Sequence, residues 1–116
     1  MKKEFRLKKK SDIDAVFKPR KAVKSEFFSI YFIEEQQDHF RYALSIGKKY
    51  GHAVDRNLMK RRIRMIVQQN QEMIKKSMQF VIVIHPKSPT LSFNVIKEQI
   101  VHLLKKAKIM EIKWKN

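Results

Sequence analysis

Cysteine is absent from the 116 residues. That excludes disulfides and thiolate metal sites and is compatible with a reducing cytosol. Glycine occurs only twice, both times in the Gly47–Gly51 turn, and no repeat or low-complexity linker interrupts the chain. The longest unbroken apolar run, Phe80 to Ile84, is far too short to cross a bilayer. The lysine-bearing N-terminus lacks the apolar segment of a secretory signal. Metal-ligand clusters are missing as well: the acids are scattered, with no His-x-His or paired-carboxylate motif.

Acids are few beside the bases. Eleven of them face 27 Lys and Arg, a formal charge of +16. Such a balance destabilises a lone compact chain by self-repulsion and is relieved by a polyanion. Nucleic acid is the first expectation and an anionic membrane surface the second. Hydrophobic residues still make up 43%, so the chain folds, and its length predicts one domain over 1–116. A basic arm over residues 1–10 precedes the periodic segments.

The periodicities predict an α+β sandwich with helices packed on a small sheet. Ser11 begins a helix with Asp14 as capping-box partner, Ile13, Val16 and Phe17 form its apolar face, and Pro19 ends it. A short strand is expected over Lys21–Ser25 and a longer one over Phe27–Ile33. After the EEQQD turn, His39–Ile46 alternates cleanly, with Phe40, Tyr42, Leu44 and Ile46 on one face. Phe28, Ile30 and Phe32 join that core face. Phe27, Ser29 and Tyr31 fall on the other, a mixed surface of small, basic and aromatic residues. Gln79–Ile84 shows no alternation and predicts a strand covered on both faces. An amphipathic helix spans about Ser92–Lys108.

Between the glycine-bearing loop and Gln79 lies AVDRNLMKRRIRM, predicted as a long helix from about Val54 to about Lys76. Arg56, Lys60, Arg64, Asn57 and Arg61 fall within an arc of about 140°, beside an apolar stripe of Met59, Ile63, Ile66 and Val67. Like charges at i and i+4 repel, and Asp55 alone does not balance four cations. A solvated helix normally mixes its signs, so the pattern points to a polyanion. A strand and loop precede this helix, unlike a DNA recognition helix. Shape and backbone contacts suit RNA.

Catalysis by the chain itself finds little support. His39 sits at a strand end and His102 on a helix; His52 and His85, in loops, could form a two-histidine nuclease site, but no lysine or carboxylate spacing singles them out. Most of the 12 aromatics (eight Phe, three Tyr, one Trp) belong to the core. Tyr31 is the exception. If the first helix crosses the mixed face, Phe17 and Tyr31 either floor a cleft able to stack single-stranded bases or simply pack together.

With these residues in place the sequence resembles the family of bacterial ribonuclease P protein subunits, over nearly the whole chain. RLKKKSDIDAVF (Arg6–Phe17), RYALSIGKKYGHAV (Arg41–Val54) and RNLMKRRIR (Arg56–Arg64) carry the likeness. The resemblance implies an αβββαβα fold with a mostly antiparallel sheet and a left-handed βαβ crossover. It implies a catalytic centre in an RNA subunit, with magnesium held mainly by that RNA and no cofactor or catalytic residue in this chain. The reaction would be cleavage of precursor tRNA to leave the mature 5′ end. Lys48, Lys49, Arg56, Asn57, Lys60, Arg61 and Arg64 would bind the catalytic RNA. Ile13, Phe17, Phe27, Ser29 and Tyr31 would line the cleft for the 5′ leader. The partners expected are the RNA subunit and precursor tRNA, in the cytoplasm, with no membrane and no obligate protein partner. Two departures stand out: the family's Arg-Asn-Arg triplet reads Arg-Asn-Leu at Arg56–Leu58, leaving Arg61 or Arg62 to supply the third contact, and Ile13 stands where an aromatic is common. A structural RNA-binder such as a ribosomal protein and a stand-alone nuclease are the rival readings.

Overall fold

The structure, a computed structural model, describes residues 3–86 and 91–111. The first two residues of the basic arm, part of the loop after His85, and Trp114 lie outside them. In chain order come α1 (Lys10–Phe17), β1 (Ala22–Lys24), β2 (Phe28–Glu34), β3 (Arg41–Ile46), α2 (Ala53–Gln69), β4 (Met78–Ile84) and α3 (Phe93–Lys106), with single 3-10 turns at Lys3–Phe5, Lys48–Tyr50 and Gln71–Met73. This is the αβββαβα order.

The sheet order is β1-β2-β4-β3. β4 is the apolar run without alternation, and it takes an interior place between β2 and β3, where both of its edges are paired and helices cover both of its faces. Phe80, Val81 and Ile82 are fully buried. β2 pairs antiparallel to β4 from Phe28↔Ile84 to Glu34↔Met78, and β3 runs parallel to it from Arg41↔Gln79 to Ile46↔Ile84. The turn after β2 therefore closes no hairpin. It carries the chain past the start of β4, where Gln37 Nε2 donates to the Met78 carbonyl at 3.1 Å and Gln79 Nε2 donates to Gln37 Oε1 at 2.8 Å. The parallel β3–β4 pair needs a long crossover, and α2 supplies it.

Even-numbered residues of β2, β3 and β4 face α2 and α3 and form the main core with Met59, Ile63, Ile66 and Val67 of α2 and Ile96, Ile100, Leu103 and Leu104 of α3. α1 lies on the opposite face, where Val16 and Leu7 pack with Val81 and are joined by Ile13, Phe17, Tyr31, Ile33, Ala43 and Val83. The basic arm is docked, not loose: Phe5 and Leu7 are buried, and Leu7 N–H donates to the Tyr42 carbonyl at 2.9 Å.

Two helix ends differ in detail from the pattern reading. α1 begins at Lys10 with Lys9 as N-cap and no side-chain cap, so Ser11 lies inside the first turn and forms no capping box. α2 ends at Gln69, two turns short of Lys76. There Asn70 is buried and its Nδ2 donates to the Ile66 carbonyl at 2.8 Å, closing the helix. Met73 and Ile74 extend the apolar pattern but leave the helix, and Ile74 bridges to Met110. α3 starts at Phe93, and Ser92 caps it: Ser92 Oγ accepts the Val95 N–H at 3.3 Å.

Candidate nucleic-acid interface

α2 is held by its four buried apolar side chains. Each contributes about 1.5–3 kcal/mol relative to exposure, against a few tenths of a kcal/mol for each like-charged i,i+4 pair. The packing wins, and the helix tolerates a cationic face. Arg56, Lys60, Arg62 and Arg64 are half-buried, while Asn57 and Arg61 are exposed. Among the described residues, none of these cations makes an ion pair; the salt bridge present is Lys75–Glu111 at 3.1 Å, away from α2. Arg56 buries its Nε without an acceptor, a donor left open where an anion would complete it. Leu58 is 44% exposed on the outward side of the helix, so the residue replacing the family's third arginine is not a core residue.

Lys48 and Lys49 stand exposed on the 3-10 turn just before α2. Buried Tyr50 anchors that turn. Gly51 then adopts φ 152°, a region L side chains rarely enter, and a Cβ there would meet Asp55 Oδ2 at 3.4 Å. Glycine thus lets the lysine turn run straight into the helix N-terminus, whose dipole favours anions.

A cavity of about 180 Å³ opens where β3, α2 and the N-terminal segment meet, lined by Arg6, Leu7, Ile13, Tyr42, Ala43, Leu44, Lys60 and Arg64. Burial pushes the Tyr42 phenol up to about 12, against the pull of Arg64 and Arg6. The hydroxyl therefore stays neutral and adds no negative charge to the pocket.

On the other flank of α1, Phe17 and Tyr31 pack with ring centroids 4.8 Å apart and planes tilted by 59°. Lys24 Nζ sits 5.7 Å from the Tyr31 ring centre. With Arg20 these three residues line a cavity of about 420 Å³. The two aromatics both pack together and remain half-exposed over a basic-rimmed cavity.

The other expected cleft residues are dispersed. Ile13 lines the first cavity instead, on the α2 side of α1. Phe27 sits in the tight β1–β2 turn, where Ser25 N–H donates to the Phe28 carbonyl at 2.7 Å, and it packs against the main core. Ser29 is buried, with Oγ 2.7 Å from His85 Nε2, while His85 Nδ1 lies 2.9 Å from the Glu26 carbonyl. A carbonyl only accepts, so Nδ1 carries a proton, and in the neutral ring Ser29 donates to Nε2. Both nitrogens of His85 are committed, which leaves no open base there, and His52 is exposed at the start of α2. Arg6, Arg20 and Lys24 were not singled out by pattern. They sit in short or irregular segments, Arg20 at φ 56°, where no periodicity assigns a face.

Among the described residues no group of three or more His, Asp or Glu side chains could hold a metal ion. No helix among them is long and apolar enough to cross a membrane.

An α+β sandwich with an unpaired cationic helix face and an aromatic, basic-rimmed cavity defines a candidate polyanion-binding protein. The family model for ribonuclease P matches residues 1–108, and the chain belongs to that family. It is 47% identical to the ribonuclease P protein component of Acholeplasma laidlawii over 116 residues, covering 100% of both chains. The RNase P protein of Staphylococcus aureus superposes with a TM-score of 0.86 at 29% identity, over 92% of this chain and 98% of that one. The Thermotoga maritima protein gives 0.80 at 28%, over 87% and 96%.

Proposed function

We propose that this chain binds the catalytic RNA of ribonuclease P through α2 and the Lys48–Lys49 turn, and holds the 5′ leader of precursor tRNA beside α1. The observation that carries the reading is the α2 face: Arg56, Lys60, Arg61 and Arg64, with Asp55 as the single acid of the helix and none of the four ion-paired among the described residues. A duplex RNA backbone offers regularly spaced phosphates to such a face. The leader, being single-stranded, suits the second surface. A base can stack on the exposed part of the Phe17–Tyr31 pair while Arg20 and Lys24 meet its phosphates.

The protein's part in the reaction is then to bind and orient. Cleavage of the phosphodiester bond belongs to the RNA, and the reaction takes place in the cytoplasm. Magnesium supplies charge neutralisation and an activated water where it is bound. The chain contributes no catalytic side chain in this reading.

Reconstitution tests it. Mixed with the catalytic RNA, the chain is expected to permit cleavage of precursor tRNA at a magnesium concentration where the RNA alone is slow, and to leave a mature 5′ end. RNA binding without any gain in cleavage would favour a purely structural RNA-binder. Cleavage by the chain alone, lost in a His52→Ala, His85→Ala double variant, would favour a stand-alone nuclease.

A further inference from the structure

Arg6 belongs to neither surface proposed above, yet its position is built. The residues on either side of it are buried. Phe5 packs on His39 and Phe40 with ring centroids 4.8 and 4.9 Å away, and Leu7 hydrogen-bonds to the Tyr42 carbonyl at 2.9 Å. Arg6 itself makes a parallel bridge to Tyr42 along the outer edge of β3. With its neighbours anchored inward, the Arg6 side chain is exposed and lines the cavity of about 180 Å³ that Lys60 and Arg64 enter from α2.

The composition of that cavity is one-sided. Three cations line it, no carboxylate does, and the one acidic hydroxyl, Tyr42, is held neutral by burial. Lys60 and Arg64 already repel as an i,i+4 pair, and the docked segment adds a third positive charge from a different element. Stability alone would favour an acid at one of these positions. An anion in the cavity relieves all three at once, and the size suits a compact group, not a base with its sugar.

We propose that Arg6, Lys60 and Arg64 form a seat for one phosphate group, filled in the complex by a phosphodiester of the bound RNA. The docked N-terminal segment is thereby part of the RNA interface. The RNA identity of the occupant rests on the reading of α2 given above; the phosphate chemistry of the seat does not.

Two measurements test this. In the first, affinity for the catalytic RNA is titrated against salt for the wild type, Arg6→Ala, Arg6→Lys and Lys8→Ala, the last a nearby exposed cation outside the cavity. Losing one phosphate contact lowers the magnitude of the log–log slope by about 0.7–0.9. Arg6→Ala is expected to show that loss, with Arg6→Lys retaining most of the slope and Lys8→Ala close to wild type. A change for Arg6→Ala no larger than for Lys8→Ala would overturn the seat. In the second, inorganic phosphate is titrated into the protein alone at constant ionic strength. Phosphate is expected to raise the melting temperature of the wild type more than that of Arg6→Ala. If the wild type failed to bind the RNA, this arm would still decide: an Arg6-dependent rise supports a seat for free phosphate, and equal rises overturn the seat altogether.

Discussion

Tyr31 and Leu58 show what single residues decide. Tyr31 packs on Phe17, yet it also lines a cavity rimmed by Arg20 and Lys24, so its packing leaves room for a further contact. If a leader base stacks there, Tyr31→Ala is expected to cost about 1–3 kcal/mol, up to roughly a hundredfold in precursor tRNA affinity. Mature tRNA should be almost unaffected. Paired titrations on preassembled holoenzyme measure this, and equal losses on both tRNAs would assign Tyr31 to packing alone. Leu58 tests the other surface. It is largely outside the core, so Leu58→Arg should leave stability nearly unchanged. It should also steepen the salt dependence of RNA binding by about 0.7–0.9 in log–log slope. An unchanged slope would mean that Arg61 and Arg62 already supply the contact this position makes in the family's triplet.

At the scale of elements, what was legible followed strict periodicity. The alternation of Phe40, Tyr42, Leu44 and Ile46, the unbroken run of β4 and the stripe on α2 each report which sides of an element pack against the core, and the residues of that alternation and that stripe all join the main hydrophobic cluster. Strand pairing was not legible. The separation of β2 from β3 by β4 depends on contacts distant in sequence, which no local period encodes. The end of α2 was obscured because Met73 and Ile74 keep the apolar rhythm while Asn70 stops the helix with a side-chain bond to the Ile66 carbonyl. Asn70→Ala is therefore expected to destabilise the fold by about 1–2 kcal/mol, seen as a lower urea midpoint. An unchanged midpoint would mean that water replaces the cap. Of the proposed site, the α2 cations and the Phe17–Tyr31 pair were readable, because helical and strand periods assign their faces. Arg6, Arg20 and Lys24 were not, since tertiary docking alone brings them to the cavities. Phe27 packs against the main core and Ser29 is buried against His85, through a tight turn and a histidine contact that the strand period does not encode.

For the whole molecule the governing quantity is a formal charge of +16 on 116 residues. Self-repulsion of this size opposes folding, and anions that occupy cationic sites offset it. Sulfate should raise the melting temperature more than chloride at equal ionic strength, whereas equal effects would indicate general screening only. The part of that charge on one face of α2, continued by Lys48, Lys49 and Arg6, is the surface proposed to meet RNA. The most direct test is the affinity of the wild-type chain for the catalytic RNA of ribonuclease P across a several-fold range of salt. With four or more phosphates neutralised, the log–log slope is expected to be about −3 or steeper; a slope near zero would contradict the claim that this surface grips the RNA backbone.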